Sequence, residues 1–156
     1  MGTKHKDDVL GPKDTLFYEF KAKRIITPAQ LKASFTTPIT LIPATLNCLT
    51  VPRFVIVQKD AGTAYTANGN ANLRISEPTG GIIFQNLPIA LFTTTAATFS
   101  VTRHGTTFGI SSASSPGILS QPVTLKPDVA DLGAPGTGNL IINISWNVIP
   151  TNPDWF

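Results

Sequence analysis

The most regular alternation of apolar and polar residues in the chain lies in the segment Leu140–Ile149. One side of this ten-residue segment is wholly apolar and carries Leu140, Ile142, Ile144, Trp146 and Val148. A strand with one apolar face is typical of an antiparallel sheet that covers a core on one side. We therefore predict that this segment is the longest strand and is central to a sheet.

Shorter apolar runs precede this strand, and turn residues separate them at intervals of about 8–12 residues. The predicted strands are Ile39–Ile42, Phe54–Val57, Asn72–Ser76, Ile82–Phe84, Ile89–Thr93, Phe99–Arg103, Phe108–Ile110 and Val123–Leu125. Between two of them, Asn68-Gly69 favours the left-handed backbone that tight turns need. This pattern predicts an all-β domain, an antiparallel β-sandwich that is jelly-roll-like.

The apolar positions of the predicted strands indicate the core. We expect it to include Leu41, Val55, Val57, Ile75, Phe84, Leu91, Phe99, Val101, Ile142, Ile144 and Trp146. Within Phe99–Arg103 this places Phe99 and Val101 on the buried side and Ser100 and Thr102 on the exposed side.

One short N-terminal helix is predicted. Thr27 is a good N-cap, Pro28 suits the first helical position, and Gln30 completes a capping box. The segment Thr36-Thr37-Pro38 ends the helix, so we expect it to run from Pro28 to about Ser34.

The distribution of charge divides the chain into three parts. Residues 1–24 hold ten charged side chains, whereas the following 132 residues hold 11. We interpret 1–24 as an extended N-terminal arm, 25–150 as the β-sandwich domain and 151–156 as a C-terminal aromatic tail. So little charge on the domain favours a subunit covered by its own copies or by a partner, the alternative being a monomer with an uncharged polar surface.

Composition argues against several classes of protein. Charged residues make up 13% of the chain, against about 25% in an ordinary soluble protein. A net charge of +3 is small for a nucleic-acid-binding module, which typically neutralises about six to ten phosphates. The apolar runs are too short to span a membrane, and the first residues show no secretory signal. We therefore expect no nucleic-acid partner, no membrane association and synthesis in a host cytoplasm.

The residues that could carry chemistry are few and scattered. Cys48 stands alone, and His104 has no carboxylate or nucleophile near it in the sequence. Asp128 and Asp131 form the closest acidic pair of the domain, a spacing compatible with calcium binding, with glycoside hydrolysis or simply with turns. Tyr65 lies in a loop where it could stack on a sugar ring. We expect no enzymatic activity, no metal site and no cofactor.

One resemblance adds to this interpretation. The segment Ile26-Thr27-Pro28-Ala29-Gln30-Leu31, followed by Thr37-Pro38-Ile39-Thr40-Leu41-Ile42-Pro43-Ala44, resembles the opening of small β-sandwich structural proteins of tailed bacteriophages. The Gly-rich segment 133–138 before one long strand is similar to their C-terminal part. The resemblance implies a virion protein without catalysis, a capsid decoration or head-associated protein. A carbohydrate-binding, lectin-like module or a tail or neck receptor-binding component is the alternative.

The resemblance also implies the partners. These are the major capsid protein or other virion proteins, together with sibling subunits in a homo-oligomer, a trimer by analogy. The arm residues expected at the interface are Leu16, Phe17, Tyr18, Phe20, Lys21, Lys23 and Arg24. The tail residues Trp155 and Phe156 either fold back on the domain or reach a neighbour.

Overall fold

A computed structural model describes residues 18–78, 83–103 and 120–150 of the chain. Within these ranges, eight strands form two four-stranded antiparallel sheets, with one short α-helix and one turn of 3-10 helix. The elements are β1 (Tyr18–Ile26), α1 (Pro28–Lys32), β2 (Ile39–Ile42), β3 (Cys48–Lys59), β4 (Asn72–Ser76), β5 (Ile83–Pro88), the 3-10 turn (Ile89–Leu91), β6 (Thr98–Arg103), β7 (Val123–Pro127) and β8 (Leu140–Pro150). The predicted all-β class is confirmed.

The strands pair in a regular way. The first sheet has the order β1-β8-β3-β6, and the second sheet has the order β2-β7-β4-β5. The first strand thus pairs with the eighth, the second with the seventh, the third with the sixth and the fourth with the fifth. The pairings of β3 with β8 and of β4 with β7 join these four pairs into the two sheets.

The prediction for the last strand is confirmed. β8 lies between β1 and β3 in the first sheet. Leu140, Ile142, Ile144, Trp146 and Val148 are all buried on its inner side. They join an apolar cluster to which the second sheet contributes Leu41, Leu73, Ile75, Leu87 and Leu125. The alternation in the sequence therefore identified the strand at the centre of the core.

The capping box of the helix is also confirmed. The Thr27 hydroxyl accepts a hydrogen bond from the Gln30 amide at 3.3 Å, and the Thr27 amide donates to Gln30 Oε1 at 3.0 Å. The helix ends at Lys32, two residues before the predicted end at Ser34. The buried Ser34 hydroxyl donates to the Leu31 carbonyl at 2.6 Å, a local bond that competes with further helix.

The expected boundary between arm and domain is wrong for residues 18–24. These residues belong to β1, which pairs with β8 along its whole length. The alternation of β1 places Ala22 and Ile26 on the inner side and Lys21 and Lys23 on the outer side. The lysines made this segment resemble a polar arm, although one face of it is apolar. Residues 1–17 and 151–156 lie outside the described residues.

The prediction of which side of β6 faces the core is wrong. Phe99 is 63% exposed and Val101 is 49% exposed, whereas Ser100 and Thr102 point inward. The side-chain amide of Gln85, on β5 in the second sheet, donates to the Thr102 hydroxyl on β6 in the first. Because this part-buried bond connects the two sheets, the polar face of β6 is the one that is turned inward.

Other strand predictions were partly right. The segment Ile89–Thr93 is not a strand: after Pro88 the chain forms the 3-10 turn, and Phe92 then fills the core with no exposed surface. β3 begins six residues before the predicted Phe54, because a bulge between Pro52 and Phe54 accommodates the proline. Phe108–Ile110 lies outside the described residues. The expected core residues Phe84 and Leu91 are half-buried against the apolar cluster.

Candidate interaction surfaces

The outer face of the first sheet presents large apolar side chains to solvent. Strand register places its side chains in rows across the sheet. One row contains Ile25, Ile141, Gln58 and Phe99, and the next contains Lys23, Asn143, Ile56 and Val101. Ile25 is 60% exposed, so both ends of the first row present large apolar side chains to solvent. We call these two rows the apolar rows.

A groove between β1, β8 and β3 overlaps the second of the apolar rows at Lys23 and Asn143. It has a volume of about 540 Å³. Lys21 and Lys23 line one wall and Phe54 lines another, while Asn143 and Ser145 supply polar groups between them. A protein groove of about 300–1,000 Å³ is large enough to hold a ligand of several rings. We call this site the basic groove.

Arg24 does not join the other two basic residues of the predicted interface. Its neighbours in β1 point outward, but its own side chain reaches the opposite way, and Nε lies 3.5 Å from the Leu41 carbonyl of the second sheet. The three cations are close together in the sequence. Because successive side chains of a strand point to opposite faces, Lys21 and Lys23 lie on one face of β1 and Arg24 lies on the other. The basic cluster is therefore split between two surfaces.

The aromatic part of the predicted interface is also divided. Phe20 stacks on Trp146 of its own domain, with ring centroids 5.6 Å apart and ring planes 18° apart. The ring covers Trp146 and remains 44% exposed. Tyr18 is placed only as a backbone position opposite Val148. Leu16, Phe17, Trp155 and Phe156 lie outside the described residues.

Asp128 and Asp131, the closest acidic pair in the sequence, bind different segments of the domain. The Asp128 carboxylate accepts from the Ala71 and Asn72 amides at 3.1 and 3.2 Å and lies 3.6 Å from the Arg74 guanidinium. It therefore holds the start of β4. In residues 18–78, 83–103 and 120–150, no group of three or more His, Cys, Asp or Glu side chains could hold a metal ion.

Asp131 holds a different segment. Its carboxylate accepts from the Thr36 hydroxyl and from the Phe35 and Thr36 amides, the latter two at 2.7 and 3.0 Å. The Thr36 hydroxyl, followed by these amides, holds the pKa of the Asp131 carboxyl below its usual range. The two carboxylates thus anchor two different segments, residues 71–72 and residues 35–36, and each has a structural role.

Tyr65 does not offer a surface for a sugar. It is 2% exposed, its phenol donates to the Gly138 carbonyl at 2.9 Å, and burial raises the pKa of the phenol. The Gly136 backbone lies against the ring, so closely that a Cβ at Gly136 would come within 2.1 Å of Tyr65 Cδ1. Of the two roles open to this loop residue, sugar stacking and packing on its own domain, the structure shows packing, because the Gly-rich segment 133–138 covers the ring.

Lys59 is a buried cation that the sequence analysis did not identify. Its side chain is 1% exposed at the end of β3, and its ammonium donates to the carbonyls of Asp60, Thr94 and Ala96 at 3.0–3.3 Å. Desolvation lowers the pKa of Lys59, and the charge of Asp60 opposes this change. All three donors of the ammonium are used, so the lysine fastens the loop before β6 to the end of β3.

Two sequence candidates remain. Cys48 is half-buried at the start of β3, and His104 lies outside the described residues. Among the residues that the structure describes, no helix is long and apolar enough to cross a membrane. Comparison of the chain with family models, curated proteins and solved structures finds no match.

Proposed function

We propose that this chain is a non-enzymatic structural protein of a virion, a capsid decoration or head-associated protein that binds the viral shell and sibling subunits. The observation that carries this proposal is the outer face of the first sheet. In a domain with few charged residues, Ile25, Phe99 and Val101 stand exposed on that face. Large apolar side chains grouped on one surface are typical of a site that a partner covers.

The strand order supports the same proposal. The four antiparallel pairs are those expected if the chain folds back on itself between β4 and β5. The resulting double strand is then divided between the two sheets. We propose that this arrangement is a jelly roll, the architecture that viral capsid proteins, lectins and cupins share. Since the fold alone does not select among these functions, the choice rests on the surface.

The surface favours a virion protein over a lectin. Tyr65, the aromatic ring that the sequence offered to a sugar, is enclosed by its own domain. The apolar rows instead suit a broad protein contact. By analogy with the phage proteins that the sequence resembles, we propose the major capsid protein as the partner and a trimer as the assembled form.

The test is incorporation into particles. Particles purified from cells that produce the chain are examined by electron microscopy with a label on the chain. We expect labelled copies at regular positions on the head, and we expect Phe99→Asp with Val101→Asp to reduce incorporation at least tenfold. Val129→Asp is the matched control, since Val129 is a 56% exposed apolar residue that lies outside the first sheet.

Two results would contradict the proposal. One is purified particles that contain no copies of the chain. The other is normal incorporation of the Phe99→Asp, Val101→Asp variant. Specific binding to a glycan array without binding to particles would favour the alternative function, a carbohydrate-binding lectin, over a virion protein.

A further inference from the structure

We propose that Asn68 is a modification site, at which the chain deamidates itself by attack of the Gly69 nitrogen when a contact with the segment 129–133 opens. The inference goes beyond the proposed function and does not rest on it. The reaction turns a neutral carboxamide into a carboxylate, so it adds a negative charge and removes a hydrogen-bond donor that connects two loops.

The reactive pair occurs once in the sequence. Asn68-Gly69 is the only Asn-Gly pair among the 156 residues. Glycine has no Cβ, so the backbone nitrogen of Gly69 is less hindered than that of any other residue that could follow an asparagine. Both residues are exposed, so water reaches them. The chain therefore places a carboxamide beside an unhindered backbone nitrogen at the surface.

The turn that contains this pair has a fixed shape. Asn68 and Gly69 have positive φ angles of 50° and 81°, and the Asn70 amide donates to the Ala67 carbonyl at 3.0 Å. These features are typical of a type I′ turn. Ring closure brings the carboxamide carbon of Asn68 to within bonding distance of the Gly69 nitrogen. The side chain and the backbone of Asn68 must therefore be free to rotate before the reaction starts.

The Asn68 carboxamide is held by the loop that precedes β8. Its Nδ2 donates to the Asp131 carbonyl at 2.9 Å. The carboxamide also lies on the backbone of Gly133, where an added Cβ would come within 3.1 Å of both Nδ2 and Oδ1. Rotation towards Gly69 breaks the hydrogen bond and removes this packing. We call the interaction of the carboxamide with Asp131 and Gly133 the Asn68 contact, and we infer that its opening controls the rate.

The Asn68 contact can open locally, because other bonds hold the same two loops together. Thr66 and Gly133 exchange backbone hydrogen bonds of 3.2 and 2.9 Å. Asn70 is 5% exposed, and its Oδ1 accepts from two amides of the segment 129–133 at 2.8 and 3.1 Å. These bonds do not involve Asn68, so its exposed carboxamide can leave the contact without unfolding of the domain.

The reaction needs water as its only co-reactant. The Gly69 nitrogen forms a bond with Cγ of Asn68, the Cγ–Nδ2 bond breaks, and ammonia leaves with the Gly69 amide proton. Water then opens the succinimide ring at one of its two carbonyl groups and returns a proton to the Gly69 nitrogen. Opening at Cγ gives aspartate, and opening at the backbone carbonyl gives isoaspartate. No atom is oxidised or reduced.

The product does not fit the loop that held the carboxamide. A carboxylate at position 68 has no hydrogen to donate, so its oxygen and the Asp131 carbonyl oxygen face each other as two acceptors. Loss of the bond leaves the Asp131 carbonyl without this donor, which is unfavourable. The hydrogen bonds between Thr66 and Gly133 lie next to the lost contact. Deamidation is therefore expected to loosen the segment 129–133 from residues 66–70.

The first experiment measures the reaction in the unchanged chain. The chain is incubated in warm buffer, and peptide mapping by mass spectrometry follows each asparagine. We expect conversion of Asn68 and no detectable conversion of Asn86, which is exposed but is followed by the bulky Leu87. The same chain unfolded in urea should convert Asn68 at least about tenfold faster, because a hydrogen bond and its packing hold the folded side chain.

Three results of this experiment would overturn the proposal. One is an Asn68 that stays unchanged in the folded chain after the unfolded chain has been converted. Another is an equal rate in the folded and unfolded chains, which would show that the Asn68 contact does not control the reaction. The third is conversion of Asn86 as fast as that of Asn68.

The second experiment disturbs the Asn68 contact. Gly133→Ala places a Cβ against the Asn68 carboxamide, so the folded variant should convert Asn68 at least about threefold faster than the unchanged chain. Gly136→Ala is the matched control, since its Cβ meets Tyr65 instead. It should leave the rate at Asn68 unchanged. Circular dichroism confirms that both variants are folded. Equal acceleration by both would show general loosening of the segment and contradict control by the contact.

The third experiment tests the consequence of the modification. Asn68→Asp reproduces one product, and Asn86→Asp adds the same charge on β5 as a control. We expect the amide hydrogens of Thr66 and Gly133 to exchange with solvent at least about fivefold faster in Asn68→Asp, because local opening becomes more frequent. In Asn86→Asp their exchange should be unchanged. Equal exchange in the two variants would overturn the loosening that we infer.

Discussion

The Tyr65 phenol and the Gly138 carbonyl are joined by a hydrogen bond of 2.9 Å that closes the Gly-rich segment 133–138 over the tyrosine ring. Gly138 has a positive φ of 94°, and a Cβ there would come within 2.6 Å of the Asp60 carbonyl. Thr137 holds the same segment from the other side, since its hydroxyl accepts from the Thr63 amide at 2.7 Å. A tyrosine that looks available for binding is thus part of the interior.

The contact between Gly136 and Tyr65 gives the first prediction. Gly136→Ala would place a Cβ 2.1 Å from Tyr65 Cδ1, so the ring has to move. We expect a loss of about 1–3 kcal/mol in the free energy of unfolding, measured by urea denaturation, as for overpacked interiors. In a Tyr65→Ala background the added methyl group has space, so the loss caused by Gly136→Ala should largely disappear. Additive losses would show that the ring is not the obstacle.

The second prediction tests the face of β6. Phe99→Ala should change stability by less than about 1 kcal/mol, because the side chain is 63% exposed. Phe92→Ala is the matched control, since it removes a ring with no exposed surface and should cost about 3–5 kcal/mol. Urea midpoints of the two variants give the comparison. A larger loss for Phe99 would mean that this residue faces the core after all.

The third prediction concerns the acid sensitivity of Asp131. Because its hydrogen bonds hold its pKa below the usual range, ionised Asp131 stabilises the fold above the pKa of an unfolded Asp, about 4. This contribution is lost as the pH falls from that value through the lower pKa of the folded state. We expect Asp131→Asn to be less stable than the unchanged chain at about pH 7 and the difference to shrink towards about pH 2. A difference that is constant over this range would contradict the assignment.

The fourth prediction concerns the buried lysine. Lys59→Met keeps the apolar stem but leaves the carbonyls of Asp60, Thr94 and Ala96 without the ammonium that they share. We expect a loss of about 2–4 kcal/mol in urea denaturation, as for buried polar groups that lose their partner. Lys32→Met on α1, where the lysine is half-buried, is the control and should change stability by less than about 1 kcal/mol.

The fifth prediction separates the part of the arm that pairs with β8 from the part that lies outside the described residues. Deletion of residues 1–17 should leave the far-ultraviolet circular dichroism and the urea midpoint nearly unchanged. Deletion of residues 1–24 should destabilise or unfold the domain, because most of β1 is then missing and β8 becomes an unpaired edge. If both truncated chains are equally stable, β1 contributes little to the sheet.

The sequence predicted the strands whose alternation is carried by strongly apolar residues, such as Leu140 and Trp146 on β8. It also predicted the helix start, because the capping box depends on residues three positions apart. The left-handed turn at Asn68 and Gly69, with φ of 50° and 81°, follows from local chemistry in the same way. Local signals of this kind can be detected without knowledge of the rest of the fold.

The features that the sequence did not predict correctly are those that depend on contacts between residues far apart in the chain. From the sequence alone, either face of β6 could be the buried one. The inward face is the one that carries Thr102, because Thr102 accepts a hydrogen bond from Gln85 of the second sheet. In β1 the two outward lysines concealed an alternation that only β8 completes. The basic groove was missed for the same reason, since Phe54 and Ser145 meet Lys21 only through strand register. The local pattern of apolar and polar residues therefore does not show which distant strands pair with each other.

The pairing of the first strand with the eighth also determines when the domain can fold during synthesis. β1 is synthesised before the other described strands, but its partner β8 ends at Pro150, so the first sheet cannot be completed until β8 has emerged. β2 likewise waits for β7. Proteins dominated by such distant contacts fold slowly, in milliseconds to seconds. We therefore expect nascent chains stalled before β8 to be sensitive to protease, and chains stalled after β8 has emerged from the ribosome to have acquired resistance.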